Sequence, residues 1–308
     1  MIYSTYTFGD VTAIYYLKDE ICSLMLVPKG METAVKESKL ALVDPLFQVC
    51  INGEGKGAGY ISGSSYHNAC KWQELKLVRQ FTEQAGEGIA ICTEFEGKPG
   101  IRGIHRLEGC RGYLRSRVTI WNEGEEAFDL YDLPSFSLNG ITPFTDGPAY
   151  DALRLHRFTS FWSAEGRHHC ESFEQLNFEP GYNGVASKTI RISQVGTMPV
   201  RGYFPFMAVE DVKNKVVWAA QLEHCGSWQM ELFRQKDNVV ICGGLADYLT
   251  GHWFKRLSPG ESFTSPEAIL TAVRGGIDEA CDALLRAQED ALVVIGEDEE
   301  ALCPLYNE

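Results

Sequence analysis

The sequence has few of the features that mark a membrane protein or a nucleic-acid-binding protein. Its 308 residues include 28 lysines and arginines against 42 aspartates and glutamates, and the formal net charge of −14 repels phosphate backbones. No apolar run approaches the roughly 18 residues that a membrane-spanning helix needs. Residues 1–5 lack the basic, apolar and small-residue order of a signal peptide. We therefore expect a cytoplasmic protein with neither nucleic acid nor membrane as a partner.

Paired cysteines are also missing. The ten cysteines are scattered, and no two of them stand in a CxxC pair. Structural zinc sites usually need such spacing, so we predict no metal site. Cys92 and Cys242 lie inside apolar, strand-like runs, where a free cysteine behaves as a small buried hydrophobic residue. In a reducing compartment we expect thiols rather than disulfides.

What the chain does have is a long series of short strand patterns separated by turn residues. Along residues 115–121, Ser116, Val118 and Ile120 fall on one face of a strand, and residues 216–222 and 267–273 are further strand-like runs bounded by turn residues. Residues 227–242 read as a hairpin that turns at Lys-Asp-Asn. Because few helices intervene, and the strands are too many for an immunoglobulin-sized domain, the pattern predicts a large antiparallel sandwich of two sheets over residues 1–275.

Two helices are predicted. Residues 31–42 are a candidate for a short helix within the sandwich. Residues 277–292 carry apolar side chains at helical spacing, namely Ile277, Cys281, Leu284, Leu285 and Leu292, with charged residues on the other face. We assign residues 276–302 to a linker helix region that follows the sandwich. Residues 303–308 read as the opening of a further strand.

Histidine-rich and glycine-rich segments are the first candidates for chemistry. His168 and His169 adjoin Cys170 and Glu171, but neighbouring side chains of a strand point to opposite faces, so a solvated strand edge is favoured over a metal cluster. Residues 53–59 have glycine at every second position, which matches neither nucleotide-binding motif and indicates a loop. No cofactor is predicted.

Other candidates are single residues without a partner in the sequence. His156 and His224, with one of the many glutamates, are able in principle to act as acid and base on a sugar, as in an aldose epimerase, but no spacing pairs either with a carboxylate. Aromatic residues are able to stack on sugar rings, yet most fill the core of a large sandwich. By this reasoning Trp228 belongs to the core and Trp253 is the more open candidate.

An ordered series of segments carries a family resemblance. The segments are Leu133 to Phe144, Leu155 to Phe158, Trp162 to Arg167, Gln194 to Phe206, Gly226 to Glu231, Gly243 to Asp247 and Leu257 to Phe263. In this order they resemble the N-terminal domain of glycoside hydrolase family 36, the bacterial α-galactosidases. The resemblance implies a β-supersandwich of the galactose-mutarotase-like type with a C-terminal linker helix.

The resemblance also implies where the catalytic residues lie. In the family, the sandwich and its helix are followed by a (β/α)₈ catalytic barrel, and residues 303–308 are similar to the first strand of that barrel. Retaining glycosidases use two carboxylates about 5–5.5 Å apart. In the family both belong to later barrel strands, so no catalytic residue is assigned to this chain, and we expect the chain to be inactive alone.

One loop of the sandwich is implied to reach the sugar. In tetrameric family members, a loop of this domain approaches the active site of another subunit, and an aspartate in it bounds the sugar pocket. The matching region is 53–63, where Glu54 stands in place of the aspartate and Tyr60 in place of a frequent phenylalanine. These two residues are the substrate-binding candidates, and a homo-oligomer is implied as a partner arrangement.

Three functions follow as hypotheses. The first is a non-catalytic N-terminal domain of an α-galactosidase-like hydrolase, which shapes the sugar pocket and supports assembly; the parent enzyme's sugar could also be α-N-acetylgalactosamine. The second is a stand-alone carbohydrate-binding or structural sandwich. The third is an aldose epimerase.

Overall fold

The chain is built mainly from β-strands. A computed structural model describes residues 1–52, 75–86, 88–98, 100–180, 187–198, 200–292 and 296. The strands are β1 (Ile2–Phe8), β2 (Val11–Lys18), β3 (Ile21–Pro28), β4 (Cys50–Ile51), β5 (Lys76–Ala85), β6 (Gly88–Gly97), β7 (Ile101–Gly109), β8 (Leu114–Asn122), β9 (Phe128–Asp132), β10 (Pro134–Ile141), β11 (Leu153–Phe161), β12 (Ala164–Ser172), β13 (Ser187–Gln194), β14 (Gly202–Tyr203), β15 (Phe206–Asp211), β16 (Val216–Glu223), β17 (Trp228–Gln235), β18 (Asn238–Leu245), β19 (Lys255–Leu257), β20 (Ser262–Thr264) and β21 (Glu267–Arg274). The helices are a 3₁₀ turn (Glu32–Ala34), α1 (Glu37–Leu40), α2 (Tyr248–Gly251) and α3 (Ile277–Ala291).

One large antiparallel sheet dominates the fold. Its strand order is β12-β11-β15-β16-β21-β8-β7-β6-β5, with β14 added beside β11 and β20 beside β8. In the described part of the chain, the other strands form sheets β1-β2-β3, β10-β18-β17-β13 and β19-β9-β4. β3 packs on β21 and β10 packs on β8, so smaller sheets cover one face of the large sheet. The predicted mainly β, antiparallel sandwich is confirmed, although its second layer is divided.

Alternation along the strands explains which residues form the core. In β8, Ser116, Val118 and Ile120 point inwards, while the intervening side chains are partly exposed. Trp218 is buried between the layers, and its indole Nε1 donates a hydrogen bond to the backbone oxygen of Leu26, 2.8 Å away. This bond ties the large sheet to the first small sheet and satisfies a polar atom that burial would otherwise leave unpaired.

The predicted strands are found as β8, β16, the β17–β18 hairpin and β21. Cys92, Trp228 and Cys242 are buried, as predicted. The continuous helix predicted at 31–42 is wrong, because Val35 and Lys36 are extended and separate the 3₁₀ turn from α1. The Lys36 backbone N–H donates to the Pro143 carbonyl oxygen, 2.9 Å away, instead of continuing a helix.

Helix α3 is present where the sequence predicts it, and it packs through part of the predicted stripe together with alanines that the prediction did not include. Ala280, Ala283, Leu284 and Ala287 are buried against the face of the large sheet that is opposite the small sheets. Leu285 and Leu292 are exposed, so their assignment to the packed stripe is wrong. Leu284, and in part Ile277 and Cys281, pack on the sheet as predicted. No described helix combines the length and the apolar character that crossing a membrane requires.

The three predicted domain segments are not tested by the fold. The extent of the sandwich over 1–275 and of the linker region over 276–302 stays a prediction, although α3 begins at Ile277. Residues 303–308 lie outside the described residues, as do Glu54 and Tyr60.

Candidate functional site

The described chain reaches the start of the predicted sugar-contacting loop at Asn52. The Asn52 backbone N–H donates to the Asp129 carbonyl oxygen at 2.8 Å, and the Asn52 Oδ1 accepts from the Asp129 N–H at 2.9 Å. Cys50, two residues earlier, is opposite Asp132 in the β4–β9 register. The base of the loop is therefore fixed to β9, and the surroundings of β9 form the candidate site.

Asp132 is the most unusual residue there. Its side chain is 1% exposed, and neither of its carboxyl oxygens has a hydrogen-bond partner in the structure as described. Burial, followed by the negative charges of Asp247 and Glu231, raises the pKa of Asp132 well above its ordinary value. Burial disfavours the charged form of this carboxyl group, because an unpaired buried charge is costly.

One guanidinium group joins the other two carboxylates. Arg191 on β13 lies opposite the fully buried Glu231 on β17, and its Nη2 is 2.6 Å from the Glu231 Oε1. Its Nη1 is 3.4 Å from the Asp247 Oδ2. We call Asp132, Arg191, Glu231 and Asp247 the acidic cluster. It contains three carboxyl groups and one guanidinium group, and the charges of Asp247 and Glu231 add to the effect of burial in raising the pKa of Asp132.

The acidic cluster also positions helix α2. Asp247 is the N-cap residue, and its Oδ1 accepts from the Thr250 backbone N–H at 2.8 Å and from the Thr250 hydroxyl at 2.6 Å. The Gln229 Nε2, buried on β17, donates to the other Asp247 oxygen at 3.4 Å. Tyr248, the first residue of α2, is thereby held over β9.

Four aromatic side chains meet on the outer surface of this corner, and we call them the aromatic face. The rings of Tyr131 and Tyr248 are stacked, with centroids 4.4 Å apart and planes 15° apart. The ring of Phe254 approaches both tyrosine rings edge-on, with centroid distances of 6.2 Å to Tyr131 and 6.4 Å to Tyr248. The imidazole ring of His252 lies edge-on to the Tyr248 ring, with centroids 6.3 Å apart. The aromatic face thus lies directly outside the acidic cluster.

The predicted histidine segment lies elsewhere, at the edge of the large sheet. His168 and His169 point to opposite sides of β12, as alternation predicts: His168 Nε2 is 3.0 Å from His156 Nδ1, whereas His169 Nε2 is 2.9 Å from the Thr159 hydroxyl. His156 Nε2 is in turn 3.1 Å from Glu210 Oε2. The structure therefore pairs His156 with a carboxylate that sequence spacing did not identify.

This arrangement is a hydrogen-bonded relay rather than a metal site. The His156 and His168 ring planes are 6° apart with centroids 5.2 Å apart, so nitrogens 3.0 Å apart face each other end to end. A zinc ion between them would need about 2.0–2.1 Å to each nitrogen. Among the described residues, no group of three or more histidine, cysteine, aspartate or glutamate side chains is arranged to hold a metal. Burial lowers the pKa of His156, and Glu210 opposes that shift.

The remaining sequence candidates do not form sites. His224 has a pKa lowered by burial and no carboxylate partner in the described part of the chain. Trp253 is partly buried, and its ring lies 5.6 Å from that of Phe263 at the core margin.

Sequence reasoning did not single out the acidic cluster or the aromatic face. Glu231 and Asp247 fall inside segments of the family resemblance, and Asp132 directly precedes one. The sequence does carry a signal for Asp247. It is an acidic residue three positions before Thr250, which is the pattern of a helix N-cap. For Tyr131 and Phe254 the sequence carries no signal, because their contact depends on the β9–β19 pairing.

The fold and this corner define an antiparallel β-sandwich domain, and comparison with known proteins adds to that description. No family model and no curated protein sequence matches the chain. Solved structures do. The α-galactosidase AgaA of Geobacillus stearothermophilus, from glycoside hydrolase family 36, superposes with a TM-score of 0.64 and 9% identity, covering 89% of this chain and 41% of its own.

Two further structures give the same result. The galactosidase domain of the α-galactosidase-sucrose kinase AgaSK has a TM-score of 0.65 and 11% identity, covering 89% of this chain and 41% of its own. The α-galactosidase of Lactobacillus brevis has a TM-score of 0.64 and 12% identity, covering 91% of this chain and 40% of its own. At these identities the likeness shows a shared fold, and this chain spans about two fifths of the length of those structures. The resemblance inferred from the sequence segments is confirmed at that level.

Proposed function

We propose that the chain serves as the N-terminal, non-catalytic domain of a retaining α-galactosidase-like glycoside hydrolase. The observation that carries this proposal is the coverage: the sandwich matches family 36 α-galactosidases over 89% of its own length but only 41% of theirs. A fold that accounts for less than half of an enzyme leaves room for a separate catalytic domain. The two carboxylates of a retaining mechanism would belong to that second domain.

The role that we propose for this chain is to bound the sugar pocket and to support assembly of the enzyme. The 53–63 loop, with Glu54 and Tyr60, is the proposed sugar-contacting element. Support comes from the anchoring of Asn52 to Asp129 at the loop's base and from the neighbouring network of Arg191 and Glu231. A rigid base favours binding because less conformational entropy is lost when the loop meets its ligand.

The first experiment separates this function from an enzymatic one. The purified chain is incubated with 4-nitrophenyl α-galactoside, and release of nitrophenol is followed. We expect no turnover above the buffer blank. Robust turnover would overturn the proposal, because no catalytic carboxylate has been assigned to this chain.

The second experiment tests for the catalytic domain itself. The gene is sequenced past the codon for Glu308, and the full product is assayed with the same substrate. We expect an open frame encoding a (β/α)₈ barrel and an active enzyme. A stop codon at that position, together with an inactive product, would refute the assignment to an α-galactosidase and would favour the stand-alone sandwich. Comparison of galactoside with N-acetylgalactosaminide as substrates identifies the parent sugar.

A further inference from the structure

The aromatic face has the composition of a binding surface rather than of a core. Tyr248 and Phe254 are 40% and 54% exposed, although both rings are large and apolar enough to be buried in a sandwich of this size. Scattered single exposed hydrophobic residues need no explanation, but a contiguous group of them does. Here three rings contact one another, with His252 at the side.

Charged side chains stand directly beside these rings. Asp129 is two residues before Tyr131 on β9 and therefore points to the same side of the strand. Arg256 is opposite Asp129 in the β9–β19 register, and its Nη1 is 3.4 Å from the Asp129 Oδ1. The Arg256 side chain is 66% exposed, so its remaining N–H groups are available to a ligand. The pair offers hydrogen-bond acceptors and donors with little net charge.

We propose that the aromatic face and the Asp129–Arg256 pair bind a neutral pyranose ring of an oligosaccharide. A pyranose has one apolar C–H face, which packs on aromatic rings, and a rim of hydroxyl groups, which hydrogen-bond to a carboxylate and a guanidinium group at once. Because the pair is close to neutral, an anionic ligand gains little. The proposal stands whether or not a catalytic domain follows.

The site is organised before any ligand binds. Tyr248 begins α2, and the N-cap bonds of Asp247 with Thr250 hold that helix in place. Tyr131 is fixed by the β9 ladder and by stacking on Tyr248. Rings held in this way lose little rotational freedom on binding, which favours a small ligand. The acidic cluster beneath the face thereby has a positioning role for it.

The size of the surface distinguishes a sugar from a protein partner. A stable protein interface takes about 800 Å² from each partner, which corresponds to some 20 residues or more. Among the residues that the structure describes, the aromatic face with its ion pair comprises six: Asp129, Tyr131, Tyr248, His252, Phe254 and Arg256. That extent suits one or two sugar rings.

The test is a titration of the chain with raffinose and with methyl α-galactoside, followed by saturation-transfer difference NMR. We expect binding with a dissociation constant on the order of 1 mM and saturation of sugar C–H protons. Phe254→Ala is expected to weaken binding at least tenfold. Arg256→Gln, which changes an exposed side chain, is expected to weaken it several-fold. The matched control is Trp162→Ala, since Trp162 is 92% exposed at the β11–β12 turn, away from this face.

Each outcome decides for or against the proposal. Loss of sugar binding in Phe254→Ala and Arg256→Gln but not in Trp162→Ala, with unchanged thermal unfolding, supports it. No binding by the wild type, or equal binding by all variants, overturns it. If Phe254→Ala instead abolishes self-association in sedimentation without affecting sugar binding, the face is a protein contact and the proposal is wrong. Hydrolysis by the full gene product is measured separately, so failure of this site and failure of the α-galactosidase assignment remain distinct.

Discussion

His105 makes the sandwich sensitive to acid in a way that follows from its hydrogen bonds. The side chain is fully buried on β7, and its Nε2 is 2.9 Å from the Ser116 hydroxyl. Ser116 donates its single hydroxyl proton to the Ser135 carbonyl oxygen, also at 2.9 Å, so it must accept from His105. The proton of the neutral imidazole is therefore on Nε2. Nδ1 has no partner among the described residues, and a second proton placed there would be buried and unpaired.

The size of the effect comes from the pKa. Burial lowers the pKa of His105 from 6.5 to about 4. Because the folded-state pKa is the lower one, the unfolded chain binds the extra proton as the pH falls, and the folded state loses stability. Above about pH 7 the loss vanishes. It amounts to about 2 kcal/mol at pH 5 and about 3 kcal/mol at pH 4.

The assay is guanidinium unfolding between pH 8 and pH 4.5, followed by tryptophan fluorescence, for the wild type and for His105→Gln. Glutamine keeps an N–H donor near the Nε2 position but does not titrate. We expect the variant to be less stable at pH 8 and to lose about 2 kcal/mol less than the wild type on going to pH 5. His169→Gln on the edge strand β12 is the control and should follow the wild type. Equal pH slopes for His105→Gln and the wild type would refute the reasoning.

Three further predictions concern stability. Arg234 is buried and donates to three backbone carbonyl oxygens, so Arg234→Met should cost about 2–4 kcal/mol in denaturant unfolding; a cost under 1 kcal/mol would contradict it. A Cβ atom at Gly103 would lie 2.8 Å from Phe47, so Gly103→Ala should lower stability by about 1–3 kcal/mol, whereas an unchanged midpoint would show that the ring moves freely. Asp290→Ala removes the ion pair between α3 and Arg111 and should speed amide exchange in α3, less so in high salt; unchanged exchange would show that the pair does not hold the helix.

The sequence predicted elements whose signal is local. β8 and the β17–β18 hairpin follow from two-residue alternation and a turn, and α3 follows from its 3.6-residue period. The packed stripe of α3 was predicted in part: Ile277, Cys281 and Leu284 pack on the sheet, whereas Leu285 and Leu292 are exposed. The buried alanines Ala280, Ala283 and Ala287 were not predicted, because alanine carries only a weak hydrophobic signal in the sequence. The break at Val35 also lacked a local signal, since it depends on a hydrogen bond with a distant segment.

The candidate site was less predictable because its members are distant in sequence. Glu231 reads as one polar residue of an alternating strand, and nothing near it indicates that Arg191 will be its neighbour. That pairing depends on the β13–β17 register, which is a property of the whole sheet. Likewise His156 gains its carboxylate, Glu210, through the β11–β15 pairing.

The acidic cluster lowers the stability of the folded chain, and the fold alone does not require it. A buried carboxyl group is less favourable than an apolar residue of the same volume, and Asp132 has no hydrogen-bond partner among the described residues to offset its burial. Natural sequences tend to keep such local conflicts at functional sites. Here the conflict lies where β9 anchors Asn52 and where Asp247 holds Tyr248 against Tyr131. The Asp247 carboxylate of this cluster thus also positions Tyr248 in the face for which we propose a sugar ligand, which is the reason to seek function at this corner.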